Sequence, residues 1–170
     1  MARFLSLILL LFAAALANES SNKQRNRRSS AKCNLARSSN LVLLSNEKMY
    51  FFSYPAQKTW NSAKETCSKK GLHLATMTDV NELQVVGEEA RGIYLDNGWH
   101  VSAKNQGSGG GKDFRWRDGT KLELNSPLWQ EGTRKAGDCV RIDNSRKGKL
   151  VSYSCTDERP FVCELPSECY

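Results

Sequence analysis

The sequence predicts one α+β domain held together by disulfides. The order of patterns is the first indication, because an aromatic strand-like run is followed by two helix signals and then by short strands and loops. The second is the presence of six cysteines in a chain that opens like a secretory precursor, which is typical of three disulfides. The third is length, since about 150 residues after that leader suffice for one domain with a hydrophobic core.

The first strand and the first helix lie on either side of Pro55. Residues 48–53 are rich in aromatic side chains and predict a strand, which the proline ends. Thr59 is a suitable N-cap for a helix, and Gly71 is a suitable residue after its C-terminus. The apolar face of this helix, at positions i, i+3 and i+7, consists of Trp60, Ala63 and Cys67. That spacing points the cysteine into the core.

A second helix and a further strand are expected in the middle of the chain. The helix begins at Thr78 or Asp79, with Glu82 completing a capping box. Residues 98–103 alternate apolar and polar side chains, which is typical of a half-buried strand. A glycine-rich loop follows. The segment 120–136 has no clear period, which indicates long loops.

A hairpin is expected near the C-terminus. Two short apolar runs, 139–142 and 149–153, alternate like neighbouring strands. The link between them is polar and charged and ends in a glycine, as is usual for a hairpin loop. Cys139 opens the first run and Cys155 follows the second, so a disulfide between these two cysteines could bridge the pair.

The first 32 residues are expected to lie outside the domain. Residues 1–17 have a cationic start, an apolar core too short to span a bilayer and a small-x-small site, which predict a signal peptide. Residues 18–32 carry five basic residues against one acidic residue, a net charge of +4 in a chain of +7, and predict a disordered basic arm. Asn18 begins an N-glycosylation pattern. The dibasic run ending at Arg28 matches a convertase site or, alternatively, a solvated tail.

Several motifs between residues 48 and 165 carry a family resemblance. They are W-N-S-A-K-E-T-C in the first helix, F-R-W-R-D-G after the glycine loop, then C-V-R-I and E-R-P-F-V-C-E. The segment that holds them resembles the C-type lectin-like domain, and W-H-V-S-A with F-R-W-R-D-G resembles secreted insect or other invertebrate members. The resemblance implies a domain over 33–170, with two helices packed on small antiparallel sheets and a long loop region. It also implies the disulfides Cys67–Cys163 and Cys139–Cys155.

Cys33 and Cys169 remain outside that framework. Because the fold brings its termini close together, we expect a disulfide between them within one chain. The open alternative is a disulfide between chains, which would give a homodimer. The Cys67–Cys163 bridge would close a loop of roughly 100 residues, nominally worth about 4–5 kcal/mol in loop entropy.

The sequence lacks the acidic residues of a calcium site. In sugar-binding members of the resembled family, carboxylates near the third and fourth framework cysteines hold a calcium ion, which prefers six to eight oxygen ligands. Here the corresponding positions are 133–135, Gly137 and 150–152, and none is acidic. Two cations at 134 and 135 would also repel a divalent ion. We therefore expect no calcium at the usual site and no other metal or cofactor, although Glu131 and Asp138 lie within two positions of these sites and an alternative register could recruit them.

Basic residues dominate the same region and suggest an anion-binding surface for sulfated or sialylated glycan, phospholipid or an acidic protein. The alternative is a solvated rim without a specific ligand. Trp99, Trp116 and Trp129 are more typical of core residues than of sugar-stacking platforms. The candidate binding residues are Thr133, Arg134, Lys135, Arg146, Lys147 and Lys149.

No catalytic motif is present, so we expect no enzyme. His73 lies in an apolar segment and is typical of a core histidine, and His100 has no evident partner. The sequence therefore predicts a secreted, extracellular recognition protein, with roles such as innate immunity, that binds carbohydrate or protein without the usual calcium site. The alternatives are a calcium-independent lectin for anionic glycans and a disulfide-linked protein-binding subunit. No nucleic acid partner and no membrane span are expected.

Overall fold

The computed structural model describes residues 2–95, 98–108, 110–134, 136–146 and 148–170, with the backbone alone for residues 2–17 and 146. Within those ranges the chain forms three α-helices, eight β-strands and two short 3-10 turns. The elements are α1 (Ala2–Arg37), β1 (Val42–Leu43), β2 (Met49–Phe52), α2 (Trp60–Lys69), β3 (His73–Leu74), α3 (Val80–Ile93), β4 (Trp99–Asn105), β5 (Phe114–Arg115), β6 (Cys139–Asp143), β7 (Lys149–Tyr153) and β8 (Val162–Glu164), with 3-10 turns at Asn144–Arg146 and Ser167–Cys169. The predicted α+β class is confirmed, and α2 and α3 are its two expected helices.

The strands form two four-stranded sheets in which neighbouring strands run antiparallel. The first has the order β1-β2-β8-β3. Its strand β8, the last along the chain, pairs with β2, with Cys163 opposite Phe51. The end of the domain therefore returns beside its beginning. The second has the order β5-β4-β6-β7, and the predicted hairpin is its β6–β7 edge.

The two domain helices begin where the sequence predicts. The Thr59 hydroxyl accepts a hydrogen bond from the Ser62 amide at 3.4 Å, and an Asp79 carboxylate oxygen accepts one from the Glu82 amide at 2.8 Å. Each side chain satisfies an amide that the first helical turn leaves without a partner. The inner face of α2 buries Trp60, Ala63 and Cys67, as the spacing predicts.

Glu82 does more than complete the cap. Its carboxylate is buried and accepts hydrogen bonds from the Thr78 amide at 2.8 Å, the Lys48 ammonium at 2.8 Å and the Tyr50 hydroxyl at 2.7 Å. Burial alone would raise the pKa of Glu82, but these hydrogen bonds hold it below its ordinary value. The residue therefore fixes the start of α3 to β2.

Three disulfides join distant parts of the domain. Cys67–Cys163 ties α2 to β8, and Cys139–Cys155 clips the β6–β7 hairpin, in agreement with the pairing that the resemblance implies. Cys33–Cys169 joins the end of α1 to the last turn of the same chain.

The segment 18–32 differs from its predicted disorder, because it continues α1 without a break. Residues 2–37 contain neither glycine nor proline, so nothing in the sequence stops the helix. Asn18 and the residues up to Arg28 are exposed, whereas Ala36 is buried against the domain. Gly71 permits that packing, because its φ is +73° and a Cβ there would lie 2.7 Å from the Lys32 carbonyl oxygen. Among the described residues, no helix combines the length and the hydropathy that crossing a bilayer requires.

The tryptophans and one histidine lie in the core. Trp99, Trp116 and Trp129 are at most 6% exposed, which agrees with their expected packing role. His100 is fully buried, and its ring bonds the Lys58 carbonyl at 2.7 Å and the Tyr153 hydroxyl. Burial lowers the pKa of His100 to about 4, so the ring is neutral at physiological pH.

Candidate functional site

The end of the long loop is bonded directly to β7. Leu150 donates its amide to the Leu128 carbonyl at 2.9 Å, and Gln130 donates its amide to the Leu150 carbonyl at 2.8 Å. Further along, the Ser152 amide donates to the Thr133 carbonyl at 3.2 Å. The loop face, meaning the described residues of 128–137 together with 150–152, is therefore assembled by main-chain hydrogen bonds.

Ser152 closes the loop face from inside. Its side chain is buried, and its hydroxyl donates to the Thr133 carbonyl at 2.7 Å while accepting from the Ala136 amide at 3.1 Å. The Thr133 hydroxyl in turn donates to the Gln130 carbonyl at 2.7 Å. A neutral hydroxyl thus joins both sides of the segment at a position where the family resemblance calls for a metal-binding side chain.

Gly137 stands at another of the expected acidic positions, and the fold leaves it no room for a side chain. A Cβ built there would overlap the Tyr153 carbonyl and would lie 2.7 Å from the Ser154 amide nitrogen. Contacts with backbone atoms cannot be relieved by a rotamer change. The packing of β7 therefore excludes a carboxylate at this position, which the sequence alone does not reveal.

The neighbouring carboxylates do not converge on the loop face. Asp138 accepts hydrogen bonds from the Lys112 ammonium at 2.8 Å and the Asn105 amide at 2.9 Å, on the side of β4. The hydrogen bond from Lys112, followed by that from Asn105, lowers the pKa of Asp138. Glu131 is exposed. Across the described ranges, no three His, Cys, Asp or Glu side chains are grouped as metal ligands.

Two of the six predicted binding residues, Thr133 and Arg134, belong to the loop face, and Lys149 directly precedes its β7 part. The Arg134 guanidinium donates to the Leu124 carbonyl, and the Lys149 ammonium donates to the Pro127 carbonyl at 2.6 Å. Both cations therefore contact the same stretch of loop, residues 124–127. Arg146 lies in the 3-10 turn between β6 and β7. The predictions for Lys135 and Lys147 fall outside the described residues.

The fold and the closed loop define a C-type lectin-like domain. Residues 56–165 match the family model described as Lectin C-type domain, and the chain belongs to this family. Its members typically recognise carbohydrate or protein ligands and are not enzymes.

Known relatives cover the same part of the chain. The mouse protein "C-type lectin domain family 4 member G" is 32% identical over 130 residues, which are 71% of this chain and 40% of that protein. The chain thus spans less than half the length of this relative. Rheacalcin-2 from Rhea americana is 25% identical over 124 residues, which are 67% of this chain and 86% of that protein. The C-type lectin domain of murine dendritic cell inhibitory receptor 2, solved in complex with N-glycan, superposes with a TM-score of 0.59 at 23% identity, covering 69% of this chain and 89% of that one. The finer resemblance to secreted insect or other invertebrate members stays a prediction.

Proposed function

We propose that this chain is a secreted recognition protein that binds a carbohydrate or protein ligand at its loop face without calcium. The direct hydrogen bonding of the loop to β7, closed by the Ser152 hydroxyl, carries the proposal. Calcium-dependent sites require several carboxylate oxygens around the ion. The loop face offers a hydroxyl at position 152, no space for a side chain at Gly137, and a guanidinium at position 134.

The leader and the cysteines support secretion. Residues 1–17 fit a signal peptide, and all six cysteines lie in disulfides, which persist in oxidising compartments. We assign the family role of surface recognition to the mature chain and no catalysis.

A second candidate is a lectin for anionic glycans at the same face. The anchoring of both Arg134 and Lys149 on carbonyls of one short loop stretch, those of Leu124 and Pro127, favours it. Anchored cations lose less side-chain entropy when they meet a sulfate or carboxylate group.

The test is a glycan array probed with the secreted protein in calcium and again in chelator. Equal binding in both buffers is expected. Arg134→Ala should weaken binding to any anionic glycan on the array, whereas Lys23→Ala, a control that removes the same charge, should not. Binding to mannose or galactose that chelator abolishes would contradict the proposal.

A further inference from the structure

A second concave surface lies on another side of the domain. It is a cleft of about 190 Å³ between α2 and the β4–β5 edge, with β3 at its floor. None of its lining residues belongs to the loop face. The cleft has room for about six waters.

Three cations line this cleft. Lys64 lines it from α2, and Arg115 and Arg117 line it from β5 and the residue pair that follows. The Lys64 and Lys104 ammonium groups lie 5.8 Å and 5.2 Å from the centre of the same Trp60 ring. The ring is held in place, because its Nε1 donates to the Val101 carbonyl at 2.7 Å.

Counter-charges do not balance these cations. Asp113 pairs with Arg115 at 2.9 Å, and Glu164 approaches Arg117 at only 3.9 Å. Within the described part of the chain, neither Lys64 nor Lys104 has a carboxylate at ion-pair distance. Burial also raises the pKa of Glu164 to about 7, which weakens it as a counter-charge near neutral pH. The cleft therefore has excess positive charge.

His73 lies at the floor of the cleft, close enough to its positive charges to be affected by them. Burial is the main cause that lowers the pKa of His73 to about 4, and the charges of Arg117 and Lys32 lower it further. The imidazole is therefore neutral and offers the cleft a hydrogen-bonding group without charge. Ser68 and Gln106 add a hydroxyl and an amide.

This mixture of groups selects for a particular chemistry. Lysine and arginine bind oxyanions, and a rigid positive pocket concentrates them. Neutral hydroxyl, amide and imidazole groups match the alternating donors and acceptors of sugar hydroxyls. We propose that the cleft between α2 and β5 binds a sulfated saccharide, with Lys64 and Arg117 holding the sulfate and Lys104, against the Trp60 ring, adding positive charge nearby. The proposal rests on the proposed function only in taking the ligand to be a glycan bound without calcium.

The test is isothermal titration of the full chain with a heparin-derived hexasaccharide in chelator at low salt. Lys64→Ala together with Arg117→Ala should weaken binding by roughly tenfold or more, the expected loss for two charge-assisted contacts. Lys23→Ala with Lys69→Ala removes equal charge from exposed positions outside the cleft and should leave the affinity within about threefold. Lys64→Ala alone, at an exposed helix position, should weaken binding by a smaller factor and keeps the test usable if the double variant misfolds.

Other results would refute the proposed saccharide site in the cleft, and they can be told apart. No binding by the wild-type chain, equal binding of the desulfated hexasaccharide, or equal losses in the two double variants would each refute it. Loss of binding in Arg134→Ala with no effect of Lys64→Ala would place the ligand on the loop face, leaving the proposed function intact. Binding that appears only with calcium would contradict the proposed function itself. Equally tight binding of a polyglutamate peptide, lost in the same double variant of the cleft, would assign the cleft to acidic peptides.

Discussion

Ser152→Ala isolates the hydroxyl that closes the loop face. The substitution removes the hydrogen bond to the Thr133 carbonyl and the one from the Ala136 amide. The Thr133 carbonyl keeps the Ser152 amide as a donor, and Ala136 is exposed, so water can replace the lost acceptor. Neither partner is therefore left buried and unsatisfied, and the cost should be about 1–2 kcal/mol.

The assay is thermal and urea denaturation of the wild type, Ser152→Ala and Ser154→Ala. For a domain of this size the loss corresponds to a Tm about 2–8 °C lower. Ser154 is the matched control, because its hydroxyl is exposed and, among the described residues, bonds only the Thr156 side chain and amide. Its variant should therefore stay within about 0.5 kcal/mol of wild type. Equal stability of the two variants would refute the role given to Ser152.

Glu164→Gln should raise the free energy of unfolding at neutral pH by up to about 3 kcal/mol. The reason is that burial raises the pKa of Glu164 to about 7 from 4.5. The protonated side chain provides stability that is complete below pH 4.5 and is lost as the pH rises through 7, and the glutamine variant does not lose it. Urea denaturation from pH 5 to about 8 measures this, and parallel curves for variant and wild type would contradict it. Gly137→Ala should cost about 1–3 kcal/mol through overlap with the Tyr153 carbonyl, whereas Gly92→Ala, which meets nothing within 4 Å, should cost nothing; calorimetry compares them. The double variant Cys33→Ser/Cys169→Ser should still run as a monomer on a non-reducing gel. Trypsin should cleave it faster within residues 18–32, because the disulfide ties α1 to the last turn. A dimer band that the wild type shows and the variant lacks would indicate pairing between chains.

The helices were predictable because their signals are local. Thr59 and Asp79 cap the turns that follow them, and the inner face of α2 follows from the helical period. The two framework disulfides followed from the family resemblance. The sequence indicates Glu82 only as a capping residue, since its partners Lys48 and Tyr50 lie more than 30 positions away.

The sites were less predictable because they depend on long-range contacts. The sequence shows that position 137 holds a glycine where an acidic residue is expected. Only the fold shows that this glycine lies against the backbone of β7. The partners of His100 come from positions 58 and 153. The cationic cleft draws on α2, β4 and β5, so no single segment of the sequence carries its pattern.

Calcium titration tests the central claim most directly. The secreted chain, freed of metal by chelator, is titrated with calcium by calorimetry, and its Tm is compared in calcium and in chelator. We expect no saturable heat and no change in Tm, because the loop face is held by its own hydrogen bonds. A saturable site accompanied by a higher Tm in calcium, as mass action requires of an ion that binds the folded state, would contradict the account.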